Sequence, residues 1–333
     1  MMRRIMALGF LSLALLPAPR QARAAPAHET WQCVSNTSSP TDPTYQILLR
    51  LAAEIGKASD GRITVLCHPA GALPIKAGDV AQAVSEDVLQ FAVADSLAYN
   101  SLVPAAAVIS LPGLFSSDAA LDKGIAAVMP MLKVQFAKRN VTLLAVANYP
   151  LQVLWSTTKL VSLAGLKGMK LRVSTAQQAE FAARFGAVPI TMGIANVGPA
   201  LQRGIIEGLV TASSGGGRIL RDILRYNLRT GPNYVSTMLI VNRHRFDALP
   251  KPLQDRIALL TAQAARDMTS VLRGTEGELT AEFAKQGMVV TPATPEDAKL
   301  IAARMSSYWP QWAQSNGPAA KQALSIVEQA IKN

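Results

Sequence analysis

Apolar positions recur along the chain in two alternating rhythms, short runs that fit strands and longer stretches with apolar residues three and four apart. A short strand is predicted from Trp31 to Ser35, ending in the polar run Asn36-Thr37-Ser38-Ser39. Asp42 then precedes Pro43, an N-cap followed by proline at the first helical position. Tyr45, Leu48, Leu49, Ala52 and Ile55 fall at helical spacing until Asp60-Gly61 closes the unit. A strand over 62–66, a helix over 75–85 and a strand over 88–93 complete a β-α-β-α-β run. That order implies parallel strands covered by helices.

The second half repeats the order without repeating the sequence. A strand over 169–173 leads to Thr175 and Gln178, which have capping-box spacing, and Phe181 and Phe185 share one helix face. Gly186 supplies a C-terminal stop. A strand over 188–191, a short helix capped by Asn196 and a strand over 208–212 follow. The fold class is therefore α/β, with two lobes of similar build. The apolar stretches 141–147 and 234–241 predict two strands crossing between the lobes as a hinge. Residues 251–286 predict one helix of about 36 residues, about 54 Å at 1.5 Å per residue, long enough to bridge both lobes. Further helices are predicted over 295–308 and 318–331. The division is lobe I over 27–150 with 238–278, and lobe II over 151–237 with 279–333.

The N-terminus changes the setting. Met1-Met2-Arg3-Arg4 precedes an apolar run over 5–16, then Pro17-Ala18-Pro19 and Ala22-Arg23-Ala24. A basic head, a short apolar run and an A-x-A site predict a secretory signal peptide over 1–24 and a periplasmic mature protein. The run is too short for a membrane span, which needs about 20 residues to cross ~30 Å of hydrocarbon. Cleavage after Ala24 removes Arg3, Arg4, Arg20 and Arg23 and no acid, taking the net charge from +11 to +7. A basic balance suits an anionic partner, but no basic run with interleaved aromatics points to nucleic acid. Cys33 and Cys67 are the only cysteines. They fall near the ends of neighbouring predicted strands and, after export, form either a disulfide or two buried thiols. His28, His68 and His244 have no metal-ligand spacing. Gly215-Gly216-Gly217-Arg218 lacks the Lys-Ser/Thr of a phosphate loop, and Ser213 and Ser214 lack a G-x-S-x-G elbow. No catalytic residue and no cofactor is expected.

The most informative stretch is Gly165-Leu166-Lys167-Gly168-Met169-Lys170-Leu171-Arg172-Val173. Arg172 ends a strand just before a helix. Ligands of open parallel sheets bind beyond the carboxyl ends of strands, helix N-termini favour anions, and a guanidinium grips a carboxylate at two points. A surface arginine in an ion pair is the other reading of the local pattern.

This stretch resembles the solute-binding proteins of tripartite ATP-independent periplasmic (TRAP) transporters. Matching pieces stand in the family's order: Gly61-Arg62-Ile63, Pro69-Ala70-Gly71-Ala72-Leu73, Ser110-Leu111-Pro112-Gly113-Leu114-Phe115, the Arg172 stretch, Phe185-Gly186-Ala187-Val188-Pro189, Ala200-Leu201-Gln202-Arg203-Gly204-Ile205-Ile206-Glu207-Gly208, and Val241-Asn242 with Phe246-Asp247-Ala248-Leu249-Pro250. The resemblance implies a two-lobe periplasmic binding protein with hinge strands and a long bridging helix. It implies capture of a carboxylate-bearing solute and delivery to the membrane subunits of a TRAP permease. It also implies that Arg172, at the place of the arginine in the family's Lys-x-Arg-Val strand, holds the carboxylate. Sialic-acid-type members carry a second arginine where Gln152 stands here, so one carboxylate is expected, with the rest of the ligand apolar or aromatic. A mandelate- or benzoate-like acid, or a branched 2-keto acid, fits that description. Thr211, Ser213 and Ser214, in a Thr/Ser- and glycine-rich turn similar to one branch of the family, offer hydroxyls to a second ligand group. Tyr149 and Trp155 flank the first hinge segment and line a pocket or pack in the core. Asn233 and Tyr234 begin the second hinge strand near the cleft. Asn36 joins the candidates from the loop after the first strand. A monomeric receptor is expected. The alternatives are a periplasmic enzyme on the same scaffold, which lacks an acid–base pair at strand ends, and a binding protein serving a sensor or an ATP-driven transporter.

Overall fold

The computed structural model describes residues 28–332, so the predicted signal peptide lies outside the described residues. Two mixed sheets form the two lobes. The lobe I sheet contains β1 (Glu29–Val34), β2 (Ile63–His68), β3 (Phe91–Ala94), β4 (Val141–Asn148) and β10 (Ser236–Asn242), in the order β2-β1-β3-β10-β4. β1 runs parallel to β2 and β3, and β10 is antiparallel to both β3 and β4. The lobe II sheet contains β5 (Val153–Ser156), β6 (Lys170–Val173), β7 (Val188–Thr191), β8 (Gly208–Thr211), β9 (Tyr226–Leu228) and β11 (Val289–Thr291), in the order β11-β9-β5-β8-β6-β7.

The inner strands β3, β5, β8 and β10 are buried along their whole length and covered on both faces, whereas the edge strands β2, β7 and β11 are partly exposed. In β3, Phe91 and Val93 face one side with Trp31 and Leu239, while Ala92 and Ala94 face the other. The first side packs on α1 (Pro43–Ala58). The other packs on α2 (Val80–Ser85), α3 (Ser96–Leu102) and α4 (Asp118–Ala137). In lobe II, Leu171, Val173 and Val210 pack against α5 (Ala176–Arg184), whereas Val153, Trp155 and Leu209 face α6 (Val197–Gln202) and α7 (Arg218–Leu220).

The predicted caps of α1 and α5 form. Asp42 accepts from the Thr44 N–H at 2.8 Å, and Thr175 accepts from the Gln178 N–H at 3.1 Å. Asn196 stands at the start of α6 without a side-chain capping bond. The predicted strand over 88–93 begins only at Phe91, because Asp87 takes φ 62° and the Val88 N–H turns back to the Ala83 carbonyl.

Three expectations change in form. The two hinge strands, β4 and β10, are antiparallel partners inside the lobe I sheet rather than crossing strands. The crossing is made by the segments 149–152 and 229–235 that continue them. These segments bond each other through Tyr149 N–H to Val235 O at 3.1 Å and Gln152 N–H to Asn233 O at 2.9 Å. The single long helix is two. After α8 (Arg243–Asp247), α9 (Lys251–Gly274) ends where Thr275 bonds the Val271 carbonyl through its own hydroxyl, and α10 (Glu276–Lys285) follows. A glycine and a back-bonding threonine together weaken the helix there. α9 lies on lobe I against α1, and α10 lies on lobe II.

The lobe boundary also moves. α11 (Pro295–Met305) packs on lobe II through Ile301 and Met305. α12 (Tyr308–Ser315) and α13 (Gly317–Lys332) return to lobe I, contrary to the assignment of 279–333 to lobe II. The reason is the apolar stripe Ala320, Ala323, Leu324 and Val327, which is buried beside Val128 and Leu132 of α4.

Cys33 and Cys67 are directly opposite on β1 and β2, and both are free thiols rather than a disulfide. Burial, with Cys67 as neighbour, pushes the Cys33 thiol well above its usual range, which disfavours the thiolate needed for exchange. No helix among the described residues is long and apolar enough to cross a membrane.

Candidate functional site

Strand alternation decides where Arg172 goes. Leu171 and Val173 enter the lobe II core on one face of β6, so Arg172 between them turns to the other face. It pairs in register with Ile190 of β7 and Leu209 of β8 at the end of the strand. Only 6% of it is exposed. Its Nε donates to Met192 O at 2.9 Å and its Nη1 to Val210 O at 3.4 Å. Its neighbours are main-chain carbonyls, and among the described residues it has no salt bridge. Burial lowers its pKa to about 10, against the opposing charge of Asp95. A buried guanidinium without a bonded carboxylate is costly to the fold and is a ready receptor for an anion.

Arg172 lines a cavity of about 100 Å³ between the lobes. Asp95, at the end of β3, lines it from lobe I. Its Oδ1 caps α3 by accepting the Ala98 N–H at 3.0 Å. Burial pushes the Asp95 carboxyl up, while the Ala98 N–H and Arg172 pull it down.

The floor of the cavity is the tight turn Ser213–Gly217 after β8. Glu276 of α10 fixes it, accepting the Ser213 and Ser214 N–H groups at 3.0 Å each. Arg229 holds Glu276 at 2.9 Å. The Gly216 N–H donates to Thr211 Oγ1 at 3.0 Å, and a Cβ at Gly217 would stand 2.6 Å from the Trp155 ring, so this turn requires glycine. Ser214 is 2% exposed and lines the cavity, and its Oγ has no hydrogen-bond partner among the described residues. A buried hydroxyl left without a partner is rare and marks a place for a ligand group.

Across from the turn, Asn36 donates to the Tyr149 hydroxyl at 3.0 Å. Burial first, then the charge of Asp42, raises the Tyr149 pKa, so the hydroxyl keeps its proton as a donor. Asp42 of lobe I also forms an ion pair with Arg218 of lobe II, joining the lobes beside the cavity. Asp42→Asn keeps the cap of α1, since Asn caps as well as Asp, but loses this pair. Stopped-flow measurement should show ligand release accelerated by about 1.5- to 5-fold, the weight of one part-exposed ion pair. Arg218→Gln should match it, and the double variant should add nothing.

Of the sequence candidates, Arg172, Gln152, Thr211, Ser214, Tyr149 and Asn36 line the cavity. Four do not. Ser213 faces away, bonded to Thr280 and Arg229. Trp155 is fully buried, donates to Thr211 O at 2.8 Å and meets Phe283 edge-on. Asn233 links Gln178 at 3.1 Å to the Ser110 carbonyl at 2.7 Å and braces the crossing segment. Tyr234 packs in the lobe I core beside Asp118. Asp95, Asp42, Ser174 and Ser236 line the cavity but were not candidates. Asp95 had the same signal as Arg172, a strand end followed by a helix cap.

A second space of about 510 Å³ adjoins the first and shares Asn36, Asp95 and Ile194 with it. Its walls include Val34, Val80, Val93 and Met192. The lips of the lobes meet there, a Cβ at Gly193 standing 3.3 Å from Ala77 Cβ. Arg172 and Ser214 belong to the smaller space, so that space is the candidate binding site and the larger one its approach.

The family model for bacterial extracellular solute-binding proteins, family 7, matches residues 34–316. Among solved structures, a Bordetella pertussis extracytoplasmic solute receptor binding pyroglutamic acid is 24% identical, with TM-score 0.82 over 90% of this chain and 99% of that one. A TRAP periplasmic solute-binding protein from Ralstonia eutropha with bound (S)-2-acetolactate is 19% identical, with TM-score 0.84 over 91% and 98%. One from Roseobacter denitrificans with bound β-D-glucuronate is 18% identical, with TM-score 0.82 over 90% and 99%. At these identities the likeness to each is one of fold.

Proposed function

The chain belongs to family 7 of the bacterial extracellular solute-binding proteins, and from that premise we propose that it captures a compact monocarboxylate at Arg172 and hands it to a TRAP-type permease. The observation that carries this reading is the buried Arg172 guanidinium, which has no salt-bridge partner among the described residues and shares its cavity with the orphan hydroxyl of Ser214. The acid enters the open cleft, its carboxylate takes the free N–H groups of Arg172, and the lobes close about the two crossing segments. Closure removes water and strengthens the ion pair.

The cavity limits the ligand. A water needs roughly 10–15 Å³ of such space, so about 100 Å³ suits an acid of about seven to ten non-hydrogen atoms. Its walls carry Asn36, Gln152, Thr211, Ser214 and Ser236. Polar walls favour a second polar group over the apolar or aromatic tail expected from the sequence. The pyroglutamate bound by the Bordetella receptor has this size and character, which supports the same class here.

Native mass spectrometry of the purified protein tests the reading. The expected spectrum shows a second species heavier by one small acid, which denaturation releases and identifies. A carried solute without a carboxylate group would overturn the assignment.

A further inference from the structure

Resting on that reading, we propose that Asp95 is a specificity-determining residue of the same site: it accepts a hydrogen bond from an N–H or O–H group carried close to the ligand's carboxylate. The receptor therefore selects donor-bearing acids, such as lactam and 2-hydroxy acids, over their ring-oxygen and keto counterparts.

Two opposite charges face one small void without touching. Asp95 and Arg172 both line the cavity of about 100 Å³, yet no salt bridge within 4.0 Å joins them among the described residues. Each is held on its own lobe. Arg172 is tied to the Met192 and Val210 carbonyls and Asp95 to the Ala98 N–H, so neither is free to swing across and neutralise the other. What lies between them is a space of ligand size with a donor fork at one side and a carboxylate at the other.

The Asp95 carboxylate is a liability for a plain acid. An incoming carboxylate gains Arg172 but brings a second negative charge next to Asp95 and strips water from it. A ligand N–H or O–H directed at Asp95 offsets both costs. A keto or ether oxygen at that place sets acceptor against acceptor. Oδ1 accepts the Ala98 N–H and the Leu97 N–H also stabilises the carboxylate, but among the described hydrogen bonds no side chain donates to either oxygen, so lone pairs remain for a ligand donor. The branched 2-keto acid considered from the sequence is disfavoured on this ground.

The test is calorimetric titration of the full mature chain with matched pairs. The pairs are L-pyroglutamate and 5-oxotetrahydrofuran-2-carboxylate, L-lactate and pyruvate, and 2-hydroxy- and 2-oxo-3-methylbutanoate. In the wild type the donor-bearing member of a bound pair is expected to bind at least about tenfold tighter, the weight of a hydrogen bond to a buried charge. Asp95→Asn should still cap α3, because Asn serves as well as Asp there. With its oxygen on the Ala98 N–H, the side-chain amide of this variant would turn its N–H groups toward the cavity. The preference should then vanish or invert. Equal affinities within each pair, or tighter binding of the oxygen or keto member by the wild type, overturn the proposal without needing any variant. An Asp95→Asn protein that keeps the wild-type preference overturns it as well. Arg172→Ala separates the two readings: if it abolishes binding while the pairs are not discriminated, the carboxylate site stands and the role of Asp95 falls. Failure of every pair to bind the wild type overturns both.

Discussion

Replacing Arg172 by alanine is expected to weaken binding of the captured acid by about 2–5 kcal/mol, a factor of roughly 30 to several thousand in Kd. The size follows from burial. Arg172 is only 6% exposed, and the ligand carboxylate supplies the opposite charge at close range inside a site from which closure removes water. The fold should survive the change. Arg172 makes no salt bridge among the described residues; its loss frees the Met192 and Val210 carbonyls and removes the charge that faces Asp95, costs offset by no longer burying a guanidinium. Affinity should therefore collapse while the Tm of the unliganded protein stays within a few degrees of the wild type. A structural arginine would give the reverse pattern. Arg172→Lys should also lose affinity, since an ammonium cannot make the two-point contact of the fork and readily loses its proton when buried. Isothermal titration with the carried acid decides the matter, and an unchanged Kd in the alanine variant would end the assignment.

The position of Arg172 was legible because its signal is local. A strand end, a capped helix and a guanidinium lie within a few residues of one another. The caps at Asp42 and Thr175 were legible for the same reason. A strand buried on both faces, such as β3, is apolar throughout, so its residues carry no record of which face each one takes. For Trp155 that ambiguity left pocket and core both open, and it enters the lobe II core, while Ser213, in the turn beyond β8, faces Arg229 and Thr280, partners distant in sequence that no local pattern shows. The same ambiguity made β4 and β10 look like crossing strands, when the crossing is made by the segments beyond their ends. The return of α12 and α13 to lobe I depends on a stripe of small residues meeting α4, a match between distant parts of the chain. Asp95 was missed although its local signal was present, because its meaning depends on Arg172 facing it from the other lobe.

The second large effect is expected at Gly231, where a single methyl group should unsettle the hinge. Gly231 lies in the crossing segment from β9 to β10, and a Cβ there would overlap the Gln152 carbonyl oxygen and stand 3.0 Å from Val153 Cα. Both obstacles are backbone, so no rotamer change makes room, and one crossing segment must move away from the other. The Gln152 N–H to Asn233 O bond sits beside the clash and would lengthen or break. We expect Gly231→Ala to cost about 3 kcal/mol or more, at the upper end for overpacking, and to lower Tm by about 6–12 °C for lobes of this size. Binding should weaken as well, because Gln152 lines the cavity and moves with the segment. Gly274→Ala is the matched control. It ends α9 with nothing within 4 Å of its added Cβ, and alanine there should be neutral or slightly stabilising. Differential scanning calorimetry of the two variants separates a close-packed hinge from a loose one. If Gly231→Ala melts together with the wild type and the control, the crossing segments can part without cost, and their close approach does not set the position of the lobes.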